Sequence, residues 1–182
     1  MTEANFKIRN SNRIAETKAE KYLKEMNFGY LRYGLDHLDS ELPIFKIDPF
    51  VRSAPDYIVF YHNGNPTFFE AKGFVGLVKL KLRDLHNYKK WNDYLNIIFF
   101  LYDVKNSTYC KISFFEIVRI IKETSPDIKS YPENINNKYY EINLKNTERG
   151  VEWYEMPPER TAKLPKSFFN SEVIQMGLFQ ND

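Results

Sequence analysis

The stretch that most limits the fold is "NIIFFLYDV", residues 96–104. It is apolar almost throughout and offers no face to water, so it must be an interior strand covered on both sides. The rest of the chain has to supply that cover. Residues 11–27, "SNRIAETKAEKYLKEMN", predict a helix: Ala19, Leu23 and Met26 recur at helical spacing, and Ile14, Ala15 and Tyr22 widen the stripe. Ser11 or Asn10 would cap it and Gly29 would stop it. A second helix is expected from about 78 to 94, where Leu77, Leu80, Leu85 and Tyr88 are mixed among basic residues. "TYCKIS" extends the sheet, and Ser113 with Glu116 in "SFFEIVRIIKE" form the Ser-x-x-Glu capping box of a third helix.

Between these lie shorter signals. "YLRYGL" reads as a short strand, "DHLDSELP" as a polar loop and "IFKIDPFV" as an extended piece; a hairpin covers about 56–73. "SPDIKSYPENINN" reads as a loop, followed by two late strands, "KYYEINL" and "VEWYEM", around the turn "KNTERG". The order of helices and strands predicts an α/β domain with a mixed central sheet over residues 1–156. From Pro157 the composition changes to "PPERTAKLPKS", a proline- and charge-containing linker leading into a tail, residues 157–182.

A chain of 182 residues is sized for one core. Its 26 Lys and Arg nearly balance 24 Asp and Glu, so no overall field draws it to a polyanion, and any nucleic-acid contact must come from a local patch. The single Cys110 forbids an internal disulfide or a cysteine zinc cluster, and His37, His62 and His86 are too scattered for a zinc site. A reducing, cytoplasmic setting is expected. There is no apolar run of the roughly 20 residues that a bilayer demands, so no membrane association is expected.

The hairpin "SAPDYIVFYHNGNPTFFEAKG" places Asp56, Glu70 and Lys72 in an otherwise aromatic and β-branched segment. Singly, each has an ordinary reading: Pro55-Asp56 as a turn, Glu70 and Lys72 as the wet positions of an alternating strand. Together they supply the parts of metal-assisted phosphodiester hydrolysis. Two carboxylates offer hard oxygens to a divalent cation, the carbonyl of Ala71 can add another, and an ammonium beside them can orient or activate water. The condition is geometric. Asp56 shares a face with Glu70 and Lys72 only if the connection shifts the register by an odd count. A three-residue loop of Asn63-Gly64-Asn65 would put Lys72 opposite Asp56 and Glu70 one diagonal away.

With "PD" at Pro55-Asp56 and "EAK" at Glu70-Ala71-Lys72, the sequence resembles the PD-(D/E)XK nuclease superfamily. The upstream "AETKAEKYLKEMNF" is similar to the first helix of members related to archaeal Holliday junction resolvases, with Asn27-Phe28 in the place of a Gly-Phe end. The resemblance implies a restriction-endonuclease-like fold, a magnesium cofactor for which manganese would substitute, and Glu16 as the helix acid that completes the metal shell. Glu16 also falls in line with Ala19, Leu23 and Met26 on the inward stripe, where an unpaired acid is costly. Glu20, one turn on, is the reserve. Lys79, Lys81, Arg83, Lys89 and Lys90 follow the motif and are candidates for phosphate contacts, with Lys81 nearest the scissile phosphate by the family's habit. A solvated basic face is the other reading of the same residues.

In the tail, Gln175-Met176-Gly177-Leu178-Phe179 resembles the pentapeptide by which bacterial polymerases and repair proteins bind the sliding clamp, with Leu178 and Phe179 as apolar anchors and Gln175 as a directional hydrogen bonder. A terminal strand or helix packed on the domain is the alternative. The expectation is a metal-dependent DNA endonuclease of repair, recombination or phage replication, in a bacterium or a phage-infected cell. The helix spacing leans to a junction-resolving or structure-specific enzyme, which implies a homodimer. A restriction-type endonuclease and a non-catalytic DNA- or clamp-binding module on the same fold stand beside it.

Overall fold

The computed structural model describes residues 3–34, 46–62, 64–132, 134–147 and 150–157. Helix α1, Glu3–Glu25, leads into β1, Gly29–Arg32, then β2, Tyr57–Phe60, and β3, Pro66–Phe74. Strand β4, Val78–Lys81, runs straight into α2, Leu82–Asn92, and is followed by β5, Ile97–Asp103, and β6, Thr108–Ser113. After α3, Phe114–Thr124, come β7, Ile128–Tyr131, β8, Asn134–Ile142, and β9, Tyr154–Glu155. The protein is thus mixed α/β. A six-stranded sheet has the order β1-β2-β3-β5-β6-β9, in which β3 and β5 are parallel and the other pairs antiparallel. A three-stranded antiparallel sheet has the order β4-β8-β7.

Strand β5 is the interior strand that its apolar run demands. It lies between β3 and β6, and every residue except the half-buried Ile98 is buried. Phe100 and Tyr102 point to one face, where Ala15, Ala19, Tyr22 and Leu23 of α1 cover them; Ile97, Phe99 and Leu101 point to the other, with Tyr88 and Trp91 of α2 and Ile117 and Ile120 of α3. Two cores therefore flank one sheet, and β3 alternates between them. Phe69 and Ala71 belong to the α1 side, Phe68 and Phe74 to the α2 side. Helix α1 lies so close to β3 that a Cβ on Gly73 would stand 1.9 Å from the carbonyl oxygen of Ser11. Only glycine fits there.

Several local expectations are corrected. The first helix begins well before residue 11 and is ended by Asn27, not Gly29: Asn27 takes the left-handed conformation at φ 55°, and Phe28 N–H donates to the Leu23 carbonyl at 3.0 Å. Asparagine tolerates that backbone better than most residues, which lets it close a helix as glycine does. The helix expected at 78–94 divides at Lys81. Val78 and Leu80 are buried and Lys79 exposed, a period of two, because β4 finds a distant partner in β8. The same partner turns part of the expected loop "SPDIKSYPENINN" into β7 and the start of β8. The two late strands do not pair with each other, since β8 joins the small sheet and β9 pairs with β6. The third helix starts as its capping pattern requires, with Ser113 Oγ accepting from Glu116 N–H at 3.1 Å. Among the described residues, no helix is long and apolar enough to cross a membrane.

Candidate active site

The hairpin register decides whether the acids meet. Phe60 pairs with Pro66 and Tyr57 with Phe69, so the connection runs from 61 to 65 instead of 63 to 65. The count is still odd, and the face condition holds. The strands slide by two residues relative to the three-residue loop, so Asp56, which immediately precedes the paired segment, faces Glu70 and not Lys72. Asp56 Oδ2 accepts from the Ala71 N–H at 2.8 Å, which ties its carboxylate to β3 beside Glu70. Both acids line one cleft of about 280 Å³.

Glu70 and Lys72 lie on the α2 face of β3, two residues apart and so on the same side of the strand. Glu70 is only 5% exposed. Its Oε1 receives the Lys72 ammonium at 2.8 Å and the Tyr88 hydroxyl at 2.5 Å. A buried carboxylate is costly unless it is paired and hydrogen-bonded, and here both conditions are met. Burial by itself would strip the proton from Lys72, but Glu70, Tyr88 and Asp84 outweigh it and hold the amine well above the ordinary lysine range. Lys72 is an ammonium at neutral pH. Burial, reinforced by Glu70, pushes the Tyr88 hydroxyl well above its usual range, so it stays a donor.

The far wall of the cleft is α2, through Arg83, Asp84, Asn87 and Tyr88; the near wall is the turn holding Pro49, Arg52, Ser53 and Ala54. The turn is pinned to the helix. Phe50 stacks on Trp91 with ring centroids 4.4 Å apart, and Trp91 Nε1 donates to the Phe50 carbonyl at 3.3 Å. Ser53 Oγ donates to the same carbonyl at 2.6 Å.

Searches of the sequence against models of known protein families and against curated proteins find no match.

The other expected site residues divide clearly. Glu16 and Glu20 belong to α1, and the Arg32 guanidinium holds both, at 2.6 Å and 3.2 Å. Tyr57 OH also donates to Glu20, at 3.3 Å. Neither acid joins Asp56 and Glu70: among the described residues, no three Asp, Glu, His or Cys side chains are grouped closely enough to hold a metal ion. The physical reason is Arg32, which satisfies the inward acids of α1 from the end of β1. Of the five basic candidates, only Arg83 lines the cleft. Lys81 is the extended residue that precedes α2 and pairs with Tyr139 across the small sheet. Lys79 stands 3.6 Å from Glu141, and Lys89 and Lys90 are exposed in the last turn of α2. Residues 175–179 lie outside the described residues.

Sequence reasoning misses Arg52, Asp84 and Asn87, and reads Tyr88 as core rather than as a base-stacking platform. Tyr88 was within reach, since it lies on the same helical stripe as Leu85 and Trp91 and carries the hydroxyl that a buried acid needs. Arg52 had no comparable signal, because its place depends on the contact between Phe50 and Trp91.

As a donor set, the Asp56 and Glu70 carboxylates, with Asp84 lining the same cleft, suit magnesium, which is held by one or two carboxylates and keeps waters or substrate oxygens for the rest. Asp56 and Glu70 would hold it. The third carboxylate that the resemblance implies is not part of the set.

Proposed function

We propose that this chain is a metal-dependent nuclease on a restriction-endonuclease-like fold, hydrolysing phosphodiester bonds in DNA. The observation that carries this reading is that Asp56, immediately before β2, and Glu70 of β3 line one cleft, with the Lys72 ammonium on Glu70. A bound magnesium ion would supply charge neutralisation at the phosphate and an acidified water. The chain's own groups do the rest. Asp56 is fixed by the Ala71 N–H, and Glu70 is oriented by Lys72 and Tyr88. Lys72, already protonated, cannot take a proton from water. Its part is to orient the nucleophile by donating a hydrogen bond and to offset charge that develops on the phosphate.

The test is incubation with branched, single-stranded and duplex DNA, in magnesium and in EDTA, beside Glu70→Ala and Lys72→Ala. Magnesium-dependent cleavage that both variants lose supports the reading; cleavage that survives both would remove the site from it. A non-catalytic DNA-binding module on the same fold is the second reading, favoured by the engagement of Glu16 and Glu20 with Arg32. It predicts binding without cleavage on every substrate. For the tail, sliding-clamp binding is proposed from residues 175–179 alone. Equal clamp affinity of the wild type and a Leu178→Ala, Phe179→Ala double variant would end it.

A further inference from the structure

Glu70 offers its two oxygens unequally. The Lys72 ammonium and the Tyr88 hydroxyl both donate to Oε1, at 2.8 Å and 2.5 Å. A carboxylate oxygen has about two acceptor sites, so Oε1 is filled. Oε2 accepts from no described residue and is not among the buried atoms left without a partner, so it is the oxygen that reaches the cleft. The two donors also differ from each other. Lys72 carries its ammonium on a flexible stem, with Nζ 5.5 Å from the centre of the Tyr88 ring. Tyr88 is buried on α2, its ring edge-on to Phe99 with centroids 5.3 Å apart. The first donor can swing away; the second is locked by packing.

We propose that Tyr88 is a selectivity-determining residue for the metal: by keeping Oε1 of Glu70 occupied, it limits Glu70 to coordination through Oε2 alone and so favours magnesium over calcium. The inference rests on the hydrolytic reading for the presence of a metal at Asp56 and Glu70, and goes beyond it in how Glu70 binds and which cation it prefers. Magnesium demands near-ideal octahedral geometry and keeps several waters, so one oxygen from a carboxylate serves it; calcium takes roughly six to eight oxygens and readily uses both oxygens of a carboxylate. Three acids line the cleft, Asp56, Glu70 and Asp84, which would serve the larger ion well if each gave two oxygens. Tyr88 withholds one from the most buried of them. It also lets Lys72 turn toward the nucleophile without opening Oε1, because the Tyr88 hydroxyl stays on it.

The experiment titrates magnesium and calcium separately into the full chain, Tyr88→Phe and Lys72→Met by calorimetry, each protein first shown to be folded by circular dichroism. It also records the carboxylate bands of the wild-type infrared spectrum on magnesium loading, with Glu70→Gln as the subtraction. Tyr88→Phe should bind magnesium about tenfold more weakly, the low end for loss of a group that orients a metal ligand. Calcium, given the second oxygen, should keep its affinity within about threefold, so the ratio of the two affinities shifts. Lys72→Met removes a positive charge and should strengthen both cations alike. The wild-type difference spectrum should show the wide separation of the two carboxylate stretches that coordination through one oxygen gives. An unchanged ratio in folded Tyr88→Phe, a parallel loss of both cations, or the narrow separation of two-oxygen coordination in the wild type overturns the proposal. The infrared reading requires no substitution at position 88, so it decides even where Tyr88→Phe does not fold. A Tyr88-dependent ratio in a protein that cleaves no DNA would leave the selectivity standing and remove the hydrolytic reading; cleavage lost in Glu70→Ala, with a ratio indifferent to Tyr88, would do the reverse.

Discussion

Two acid–cation clusters use the same chemistry on the two sides of the sheet, and their settings separate them. On the α1 side, Arg32 bridges Glu16 and Glu20, with all three side chains partly in solvent. On the α2 side, Lys72 and Tyr88 converge on one oxygen of a Glu70 that is nearly out of solvent. Exposed pairs are screened and contribute about 0–1 kcal/mol, whereas breaking a buried pair by removing one partner costs about 3–5 kcal/mol. The first cluster fastens α1 to the end of β1. The second holds a nearly buried acid at a cleft against the cost of its desolvation.

The comparison can be broken in several ways, taken from the largest effect to the smallest. Glu70→Ala should lower stability by about 3–5 kcal/mol in urea unfolding, because Lys72 loses its counter-ion. A Glu70→Gln, Lys72→Met double variant should recover much of that loss; a strictly additive result would show that the two side chains are not coupled. Tyr88→Phe should cost about 1.5–3 kcal/mol, the range for a hydrogen bond to a charged group. Arg32→Ala should cost about 1 kcal/mol or less, and the cost should shrink as salt is added. An Arg32 loss as large as that of Glu70 would erase the distinction.

Titration sharpens the same contrast. Because the folded pKa of Lys72 is raised above its unfolded value of 10.5, the stability it contributes is fully present below pH 10.5 and is lost as pH rises through the folded value. The stability difference between wild type and Lys72→Met should therefore stay flat across neutral pH and fall only in strong alkali. A fall near pH 7 would mean that Lys72 is not held as an ammonium.

The sequence makes the α2-side cluster easier to read than its surroundings. The run at 96–104 compels a two-sided sheet, and the acids of the hairpin need only an odd connection to share a face. The five-residue connection satisfies that parity while moving Asp56 from Lys72 to Glu70, a slide that no local signal records. Strand β4 was hidden because Leu77 and Leu80 fit a helical stripe, and its pairing with β8 depends on residues some sixty positions away. Glu16 has Arg32 as a partner, brought close by the turn at Asn27, where the resemblance implies a metal, and Met26 of the expected inward stripe is exposed. Asn87 gave no signal at all, since a buried amide looks like any polar residue of a helix until its neighbours are known.

The central claim is that Lys72 and Tyr88 hold Glu70 in the cleft for hydrolysis and not for stability alone. The most direct measurement is the rate of supercoiled plasmid nicking in magnesium by wild type and by Glu70→Gln, at a temperature where both are shown by circular dichroism to be folded. Magnesium-dependent nicking that falls by about a hundredfold or more in the folded Glu70→Gln protein is the predicted result. Equal rates in the two folded proteins, or no nicking by the wild type on any DNA form, would contradict it.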